Sequence, residues 1–251
     1  MSALTGKVAI VTGAGQGVGR GIALALASAG ASLVVVDQYI DRAVRTTADV
    51  HARGVSALAA IADVAIPDDA TRVVAECIET FGRLDIVVNN AHEVIPGAVL
   101  EASDDDIETL WSTGLLGVFN FMKAARPHLT RGASIINVVS SVMLKTDTSG
   151  FALYAATKNA IRSLTRTVAV EWGGDGIRVN ALSPQTTSPA WERWAAANRA
   201  AADTIVAEIP LGYLGDAERD VGPVAVFLAS DAARYVTGSV VLADGGRGHL
   251  R

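Results

Sequence analysis

The sequence predicts an α/β protein with one Rossmann-type, doubly wound parallel sheet, folded as a single domain over residues 1–251. Three observations support this prediction. Short apolar runs such as VAIV and LVVV alternate with longer stretches of helical pattern. The runs are almost continuously apolar, which is typical of strands buried on both faces of a sheet. No linker-like segment divides the chain, and α/β chains of this length commonly form one domain.

Strands and helices alternate along most of the chain. The strands are predicted over residues 7–11, 33–36, 55–61, 84–89, 133–139, 176–182 and 239–242. The helices are predicted over residues 17–29, 41–53, 68–81, 103–126 and 152–172. Because every strand would run the same way, the carboxyl ends of the strands should share one edge of the sheet, and ligands of such sheets bind there.

The segment from about 184 to 215 interrupts this alternation. It opens with two prolines among small polar residues and continues as an alanine-rich stretch, which predicts an irregular loop followed by a helix. A long excursion of this kind more often covers an active site than not, so we expect a substrate-covering loop and helix. The alternative is a peripheral helix pair that packs on the sheet. Trp191 and Trp194 either wall an apolar substrate pocket or anchor that helix.

Composition excludes several classes of function. Half of the residues are hydrophobic, but no apolar run approaches the ~18 residues of a membrane helix. A net charge of −5 without a Lys/Arg cluster speaks against nucleic-acid binding. Cys77 is the only cysteine, so neither an intramolecular disulfide nor a Cys/His metal cluster is expected. The N-terminus lacks a signal-peptide pattern, and we expect a cytoplasmic protein without metal.

The stretch TGAGQGVGR follows the first predicted strand and opens a helix. Its glycines do not spell G-x-G-x-x-G, because Val18 stands where the third glycine would be. Backbone N–H groups at such a helix start can still hold a diphosphate. Asp37 ends the second strand, where a carboxylate would accept hydrogen bonds from the adenosine ribose and repel a 2′-phosphate. Gln38 follows it rather than arginine, so the pair favours NAD over NADP. Without the loop, Asp37 would be an exposed carboxylate at a strand end.

Tyr154 and Lys158 lie four residues apart in a helical pattern, so both side chains should emerge on one helix face. An ammonium beside a phenol lowers the phenol's pKa from its usual value of about 10, which suits a general acid/base. Ser141 lies at the end of a strand, 13 residues before Tyr154. Ser140 should point to the other face. The alternative is that Ser141 only ends the strand and Tyr154 packs with its hydroxyl outward.

Together these motifs resemble the short-chain dehydrogenase/reductase family over essentially the whole chain. The matching motifs are TGxxxGxG in the loop, ADV, NNA, YxxxK and the closing VLADGG. The resemblance implies hydride transfer between NAD(H) and a secondary alcohol or ketone. It implies that Ser141 binds the substrate oxygen, Tyr154 is the general acid/base, and Lys158 lowers the tyrosine pKa and binds the nicotinamide ribose. The implied cofactor-binding residues are Gly13, Gln16, Gly17, Val18, Gly19, Asp37, Asp63, Val64, Asn90, Tyr154, Lys158 and Thr187.

The resemblance also implies a homo-oligomer, a dimer or tetramer packed through the long helices. Two other functions stay open. One is an NADPH-linked ketone reductase, which Asp37 opposes. The other is a cofactor-binding protein of low catalytic activity, which an intact Ser141, Tyr154 and Lys158 set opposes.

Three positions depart from the family pattern. Gly114 stands where the family carries an asparagine that supports a water in the proton relay behind the lysine. We expect a weakened relay, which Gly114→Asn would repair. His92 stands at the glycine of NNAG. It either contacts the substrate, ionises near neutrality as another proton conduit, or is a solvated loop residue. Gln185 follows Pro184 in place of glycine, which affects the nicotinamide contacts near Thr187.

Overall fold

The computed structural model describes residues 2–144 and 150–248 of the chain. Seven strands form one sheet in the order β3-β2-β1-β4-β5-β6-β7, and every neighbouring pair is parallel. The strands are β1 Val8–Thr12, β2 Ser32–Asp37, β3 Ala57–Ile61, β4 Ile86–Asn89, β5 Ser134–Val138, β6 Arg178–Pro184 and β7 Val240–Ala243. The order reverses between β1 and β4, which is where a doubly wound sheet opens a crevice. The predicted fold class is confirmed.

Helices cover both faces of the sheet. They are α1 Gly17–Ser28, α2 Ile40–His51, α3 Pro67–Phe81, α4 Asp104–Trp111, α5 Gly117–Ala125, α6 Ala152–Gly173, α7 Pro189–Ala197, α8 Arg199–Ala207 and α9 Gly222–Ala229. In the part of the chain that the structure describes, no helix is both long and apolar enough to cross a membrane.

Alternation along the strands divides the core into two clusters. Ile10 of β1 packs into one cluster, together with Phe121 of α5 and Ile161 of α6. Its neighbour Val11 packs into the other cluster, together with Ile22 of α1. Since successive strand side chains point to opposite faces, each apolar strand supplies both cores, which explains the near-continuous apolar runs.

The helix predicted over 103–126 is instead divided into three parts. Ser103 caps α4, because its hydroxyl accepts from the Asp106 N–H and the Asp106 carboxylate accepts from the Ser103 N–H. A π-helical turn, Ser112–Leu116, separates α4 from α5. Insertions of this type are frequent at functional sites, and Gly114 lies inside this one.

The C-terminal half also differs from the prediction. The alanine-rich stretch after residue 184 forms two short helices, α7 and α8, because Asn198 leaves helical geometry at φ −134° and ψ 53°. The helix α9 was not predicted, since its sequence GPVAVFLA is apolar on all sides and shows no helical period.

Glycines let α1 pack very closely on the start of α9. A Cβ atom at Gly21 would lie 2.5 Å from the Ala217 carbonyl carbon, and one at Gly222 would lie 2.3 Å from the Ala25 Cβ. Arg53, just after α2, also pairs with Glu218 at 2.7 Å. The N-terminal helices therefore rest directly on the turn at residues 217–222.

Candidate active site

A cleft of about 320 Å³ opens at the carboxyl ends of β1, β2 and β4. It is the place where a doubly wound sheet binds its ligand. The predicted cofactor residues that line the cleft are Gly13, Gln16, Gly17, Val18, Asp37, Asp63, Val64 and Asn90. The structure thus brings most of the predicted residues together at one site.

The glycine loop owes its shape to close backbone contacts. Gly13 has a left-handed φ of +63°, and a Cβ there would lie 2.9 Å from Asn90 Nδ2. Gly19 is not in the lining of the cleft but underneath the loop, where a Cβ would come within 2.3 Å of the Gly13 carbonyl oxygen. Its missing side chain therefore lets the helix approach the loop.

Two polar side chains fasten the loop to β4. The Thr12 hydroxyl accepts from the N–H groups of Asn90 at 3.0 Å and of Ala91 at 3.1 Å. In return, Asn90 Nδ2 donates to the Thr12 carbonyl at 2.9 Å. These bonds fix the distance between the ends of β1 and β4, which form the two sides of the cleft.

The donor groups of the loop suit a diphosphate. Gln16 precedes α1 without a side-chain cap, and the first turn of α1 carries no acidic residue. The helix start therefore presents backbone N–H groups and the positive end of its dipole toward the cleft. Ser188 and Pro189 close the cleft from the opposite side, and a Cβ at Gly17 would lie 3.7 Å from the Ser188 Cβ.

Asp37 is buried rather than exposed at its strand end. One carboxylate oxygen accepts from the Gly15 N–H at 2.9 Å and the other from the Tyr39 N–H at 3.1 Å. Sequence reasoning missed Arg42, which lines the same part of the cleft and lies with its guanidinium carbon 4.1 Å from the centre of the Tyr39 ring. Arg42 belongs to no sequence motif, and its position near Asp37 depends on how α2 packs in the folded protein.

Tyr154 and Lys158 lie on one face of α6, at the carboxyl end of β5. The Lys158 ammonium donates to the Val138 carbonyl at 2.8 Å and lies 5.4 Å from the centre of the Tyr154 ring. Lys158 is almost completely buried. The two residues thus form a compact pair in which the ammonium stays beside the phenol.

The electrostatics of this pair differ from the expectation. Burial raises the pKa of Tyr154, and it lowers the pKa of Lys158 to about 7. The expected lowering of the tyrosine pKa is therefore wrong for the protein alone, because desolvation penalises the charged form of both groups. The lysine, rather than the tyrosine, is the group that titrates near neutrality.

Ser141 lies where predicted, just after β5, and is buried. Asn159 donates to the Met143 carbonyl at 3.0 Å and so ties the turn Ser141–Leu144 to α6. On its other side, Gly248 lies close to the serine, since a Cβ at Gly248 would lie 3.3 Å from the Ser141 Cβ. The three predicted catalytic residues therefore belong to two segments that contact each other.

The segment near Gln185 is held by polar contacts. Arg247 pairs with Glu208 at 2.8 Å and donates to Gln185 Oε1 at 3.4 Å. Thr187 is not in the lining of the cleft, and its N–H donates to the Gly215 carbonyl at 3.0 Å. Trp191 and Trp194 contact each other with ring centres 5.2 Å apart, and Trp194 is partly exposed.

His92 is not a solvated loop residue. Its ring stacks on that of Tyr154, with centres 5.0 Å apart and planes 21° apart, and its Nε2 lies 3.0 Å from the Leu110 carbonyl oxygen. Burial, together with the positive charge of Lys158, lowers the pKa of His92 to about 3. The expected ionisation near neutrality is therefore wrong, because the imidazole stays neutral.

Gly114 lies directly beneath this imidazole. A Cβ at Gly114 would lie 2.5 Å from His92 Nε2 and 2.6 Å from Thr157 Cγ2. The two departures from the family pattern are therefore in contact, which the sequence did not indicate. Gly114→Asn cannot repair the site as expected, because the asparagine would collide with His92.

Within residues 2–144 and 150–248, no group of three or more His, Cys, Asp or Glu side chains could hold a metal ion.

Comparisons with known proteins agree with this geometry. Residues 13–247 match a family model described as Enoyl-(Acyl carrier protein) reductase. An L-rhamnose 1-dehydrogenase (NAD(P)(+)) of a Sphingomonas species is 36% identical over 250 residues, covering 98% of this chain and 98% of that protein.

Two solved structures from Burkholderia cenocepacia are similar over nearly the whole chain. A short chain dehydrogenase in complex with NADP has a TM-score of 0.91 at 31% identity, covering 98% of this chain and 100% of that one. A gluconate 5-dehydrogenase in complex with NADP and tartrate has a TM-score of 0.89 at 31% identity, covering 97% of this chain and 96% of that one. The chain belongs to the short-chain dehydrogenase/reductase family of oxidoreductases.

Proposed function

We propose that this oxidoreductase transfers a hydride between NAD(H) and a secondary alcohol or ketone, with Tyr154 as the general acid/base. One observation carries the proposal. His92 lines the same cleft as the glycine loop and Asp37, and it stacks on Tyr154. The phenol therefore lies behind His92 at the edge of the cleft, which supports Tyr154 as the group that meets the reactive end of a bound dinucleotide.

The nicotinamide, when bound, supplies the hydride acceptor or donor. Ser141 holds the substrate oxygen. The Tyr154 oxygen takes the proton from an alcohol as a phenolate during oxidation, and it gives a proton to a ketone as a hydroxyl during reduction. Lys158 carries charge or not according to pH, because its pKa is about 7. As an ammonium beside the phenol it favours the phenolate, so protonated lysine assists the oxidation direction.

NAD is the cofactor that we propose, because the 2′-phosphate of NADP would place negative charge near the Asp37 carboxylate. Both carboxylate oxygens accept hydrogen bonds from backbone N–H groups, and these bonds hold the carboxylate in this position. Arg42 is the residue that favours the NADPH alternative, since this cation lines the same region of the cleft. The Sphingomonas relative, which is named for both cofactors, makes this comparison necessary.

Titration of the protein with NADH and with NADPH tests the cofactor. We expect tighter binding of NADH. Asp37→Ser should narrow the difference by weakening the discrimination against NADPH, and Arg42→Ala should leave NADH affinity unchanged. Equal affinities in the unchanged protein, with loss of NADPH binding in Arg42→Ala, would favour the NADPH-linked reductase.

An assay over a panel of secondary alcohols tests the reaction. The panel should include sugars and sugar acids, because relatives are named for L-rhamnose and gluconate. Reduction of NAD by at least one alcohol, abolished in Tyr154→Phe, is the expected result. Binding of NADH without turnover on any alcohol or ketone would support the second alternative, a cofactor-binding protein of low activity.

We also propose that residues 184–215 cover the substrate and that the protein is a homo-oligomer. Ser188 and Pro189 already border the cleft, which supports a covering role. Leu116 in the π-helical turn and Phe119 of α5 are about half exposed, at 48% and 46%, and large apolar residues of this kind suit a subunit interface. Sedimentation velocity should therefore give a dimer or tetramer, and a monomer at micromolar concentration would contradict the second proposal.

A further inference from the structure

His92 and Gly114 occupy one volume beside the reactive tyrosine. The imidazole lies where a side chain at position 114 would begin, since a Cβ there would be 2.5 Å from Nε2. That distance is shorter than real Cβ contacts allow, so the imidazole can keep this position only with glycine at 114. The two residues are therefore a coupled pair rather than two independent changes.

The hydrogen bond of His92 fixes its tautomer. The Leu110 carbonyl can only accept, so the proton of the neutral ring is on Nε2, which lies 3.0 Å from that oxygen. Nδ1 consequently bears a lone pair. It is buried and has no hydrogen-bond partner among the residues that the structure describes. A buried acceptor of this kind is costly unless a donor reaches it.

The surroundings of His92 come from three segments. From α6, Tyr154 contributes its ring face and Lys158 its nearby charge. The end of α4 contributes the Leu110 carbonyl, and the π-helical turn contributes Gly114 and Thr113, whose hydroxyl accepts from the Glu93 N–H at 3.2 Å. Tyr154 and Lys158 are the titratable groups among these contacts, and both belong to the proposed proton-transfer site.

We propose that His92 is a positioning residue for Tyr154: its neutral imidazole holds the phenol ring by stacking and presents Nδ1 as a hydrogen-bond acceptor to the donors of the site. The imidazole accepts a hydrogen bond but takes up no proton. This inference rests on the proposed function only in so far as Tyr154 is the reactive group. The stacking and the coupling to Gly114 hold whatever the substrate is.

A double-mutant cycle tests the coupling without any assay of activity. Gly114→Ala should lower the urea midpoint strongly in the wild-type background. It should lower the midpoint clearly less in the His92→Ala background, because the collision with His92 Nε2 is absent there. The collision with Thr157 is present in both backgrounds and cancels. Gly117→Ala is the matched control, because its Cβ would meet Val64 at 2.9 Å instead of His92. Its cost should be equal in both backgrounds. Equal costs for Gly114→Ala would overturn the pairing.

Turnover separates positioning from simple packing. We expect kcat to fall at least tenfold in His92→Ala, with KM for the cofactor and the affinity for NADH within twofold. His92→Asn places an amide oxygen near the position of Nδ1, whereas His92→Phe keeps only the ring. The asparagine variant should recover more of kcat than the phenylalanine variant. Full recovery by phenylalanine would overturn the acceptor role, and an unchanged kcat in His92→Ala would overturn the proposal.

A third measurement remains valid if no substrate is found. The absorbance of tyrosinate, taken as the difference between each protein and its Tyr154→Phe derivative, follows the ionisation of Tyr154 alone. In His92→Ala the tyrosine should titrate at lower pH than in the unchanged protein, because removal of the stacked ring admits water. An identical titration would show that His92 does not shield the phenol, whereas lack of turnover alone would count only against the proposed function.

Discussion

The two ends of the active-site cleft are built from different kinds of contact. At the glycine loop, backbone groups meet: Asp37 and Asn90 bind main-chain atoms, and Gly19 lies against a carbonyl oxygen. At the other end, side chains from separate segments meet, and His92 lies between Tyr154 and Gly114. A site built from backbone contacts tolerates almost no added atom. In a site built from side-chain contacts, a substitution at one position can be accommodated by a substitution at a neighbouring one. Departures from a family pattern therefore mean different things at the two ends.

The largest effect is expected from Tyr154→Phe, at the side-chain end. Loss of one hydroxyl should lower turnover by about 10²- to 10⁴-fold, the usual contribution of a general acid/base. NADH affinity should change little, because the ring and its stacking on His92 remain. Steady-state kinetics and NADH titration check this result. Tyr235→Phe, at a fully exposed position, is the matched control, and normal turnover in Tyr154→Phe would move the proton transfer to another group.

Gly19→Ala should be the most damaging small change at the backbone end. The added methyl would lie 2.3 Å from the Gly13 carbonyl oxygen and 2.4 Å from Asn90 Nδ2, so the loop and the helix must separate. Overpacking of this kind costs about 1–3 kcal/mol, and NADH affinity should fall with it. Urea denaturation and NADH titration measure the two losses.

Gly173→Ala is the control for Gly19→Ala, since no atom lies within 4 Å of a Cβ at that helical position. If Gly19→Ala bound NADH as tightly as the control, the glycine loop would tolerate an added atom, and the two ends of the cleft would not differ in this respect.

The last expected effect is on the pH dependence of stability. His92 has a lowered pKa of about 3 in the folded protein, against about 6.5 when unfolded. Between these values the unfolded chain binds a proton that the folded chain does not, so stability falls as pH decreases from about 6.5 to 3. Urea midpoints measured across this range should decline less in His92→Gln than in the unchanged protein. His128→Gln, at an exposed position, should leave the decline as it is, and an equal decline in both variants would contradict a neutral buried His92.

The sequence was sufficient for the sheet and the backbone end of the cleft, because both follow from local patterns. Apolar runs define the strands, and the spacing of Gly13, Gly17 and Gly19 is legible in one short stretch. The proton-transfer end depends on contacts between distant positions, such as His92 with Leu110, which are 18 residues apart. The pKa values of Tyr154 and Lys158 were not predictable either, since spacing places an ammonium beside a phenol but does not show how far each is removed from water.

The close packing of α1 on residues 217–222 has a consequence for synthesis. Gly21 and Gly222 bring two distant parts of the chain into direct backbone contact, and α1 carries the N–H groups that face the cleft. A chain emerging from the ribosome contains its entire glycine loop long before it contains that support, and its apolar helix faces stay uncovered until then. We therefore expect the nascent protein to gain affinity for the dinucleotide only after residues 217–222 have left the ribosome, and to depend on chaperones beforehand.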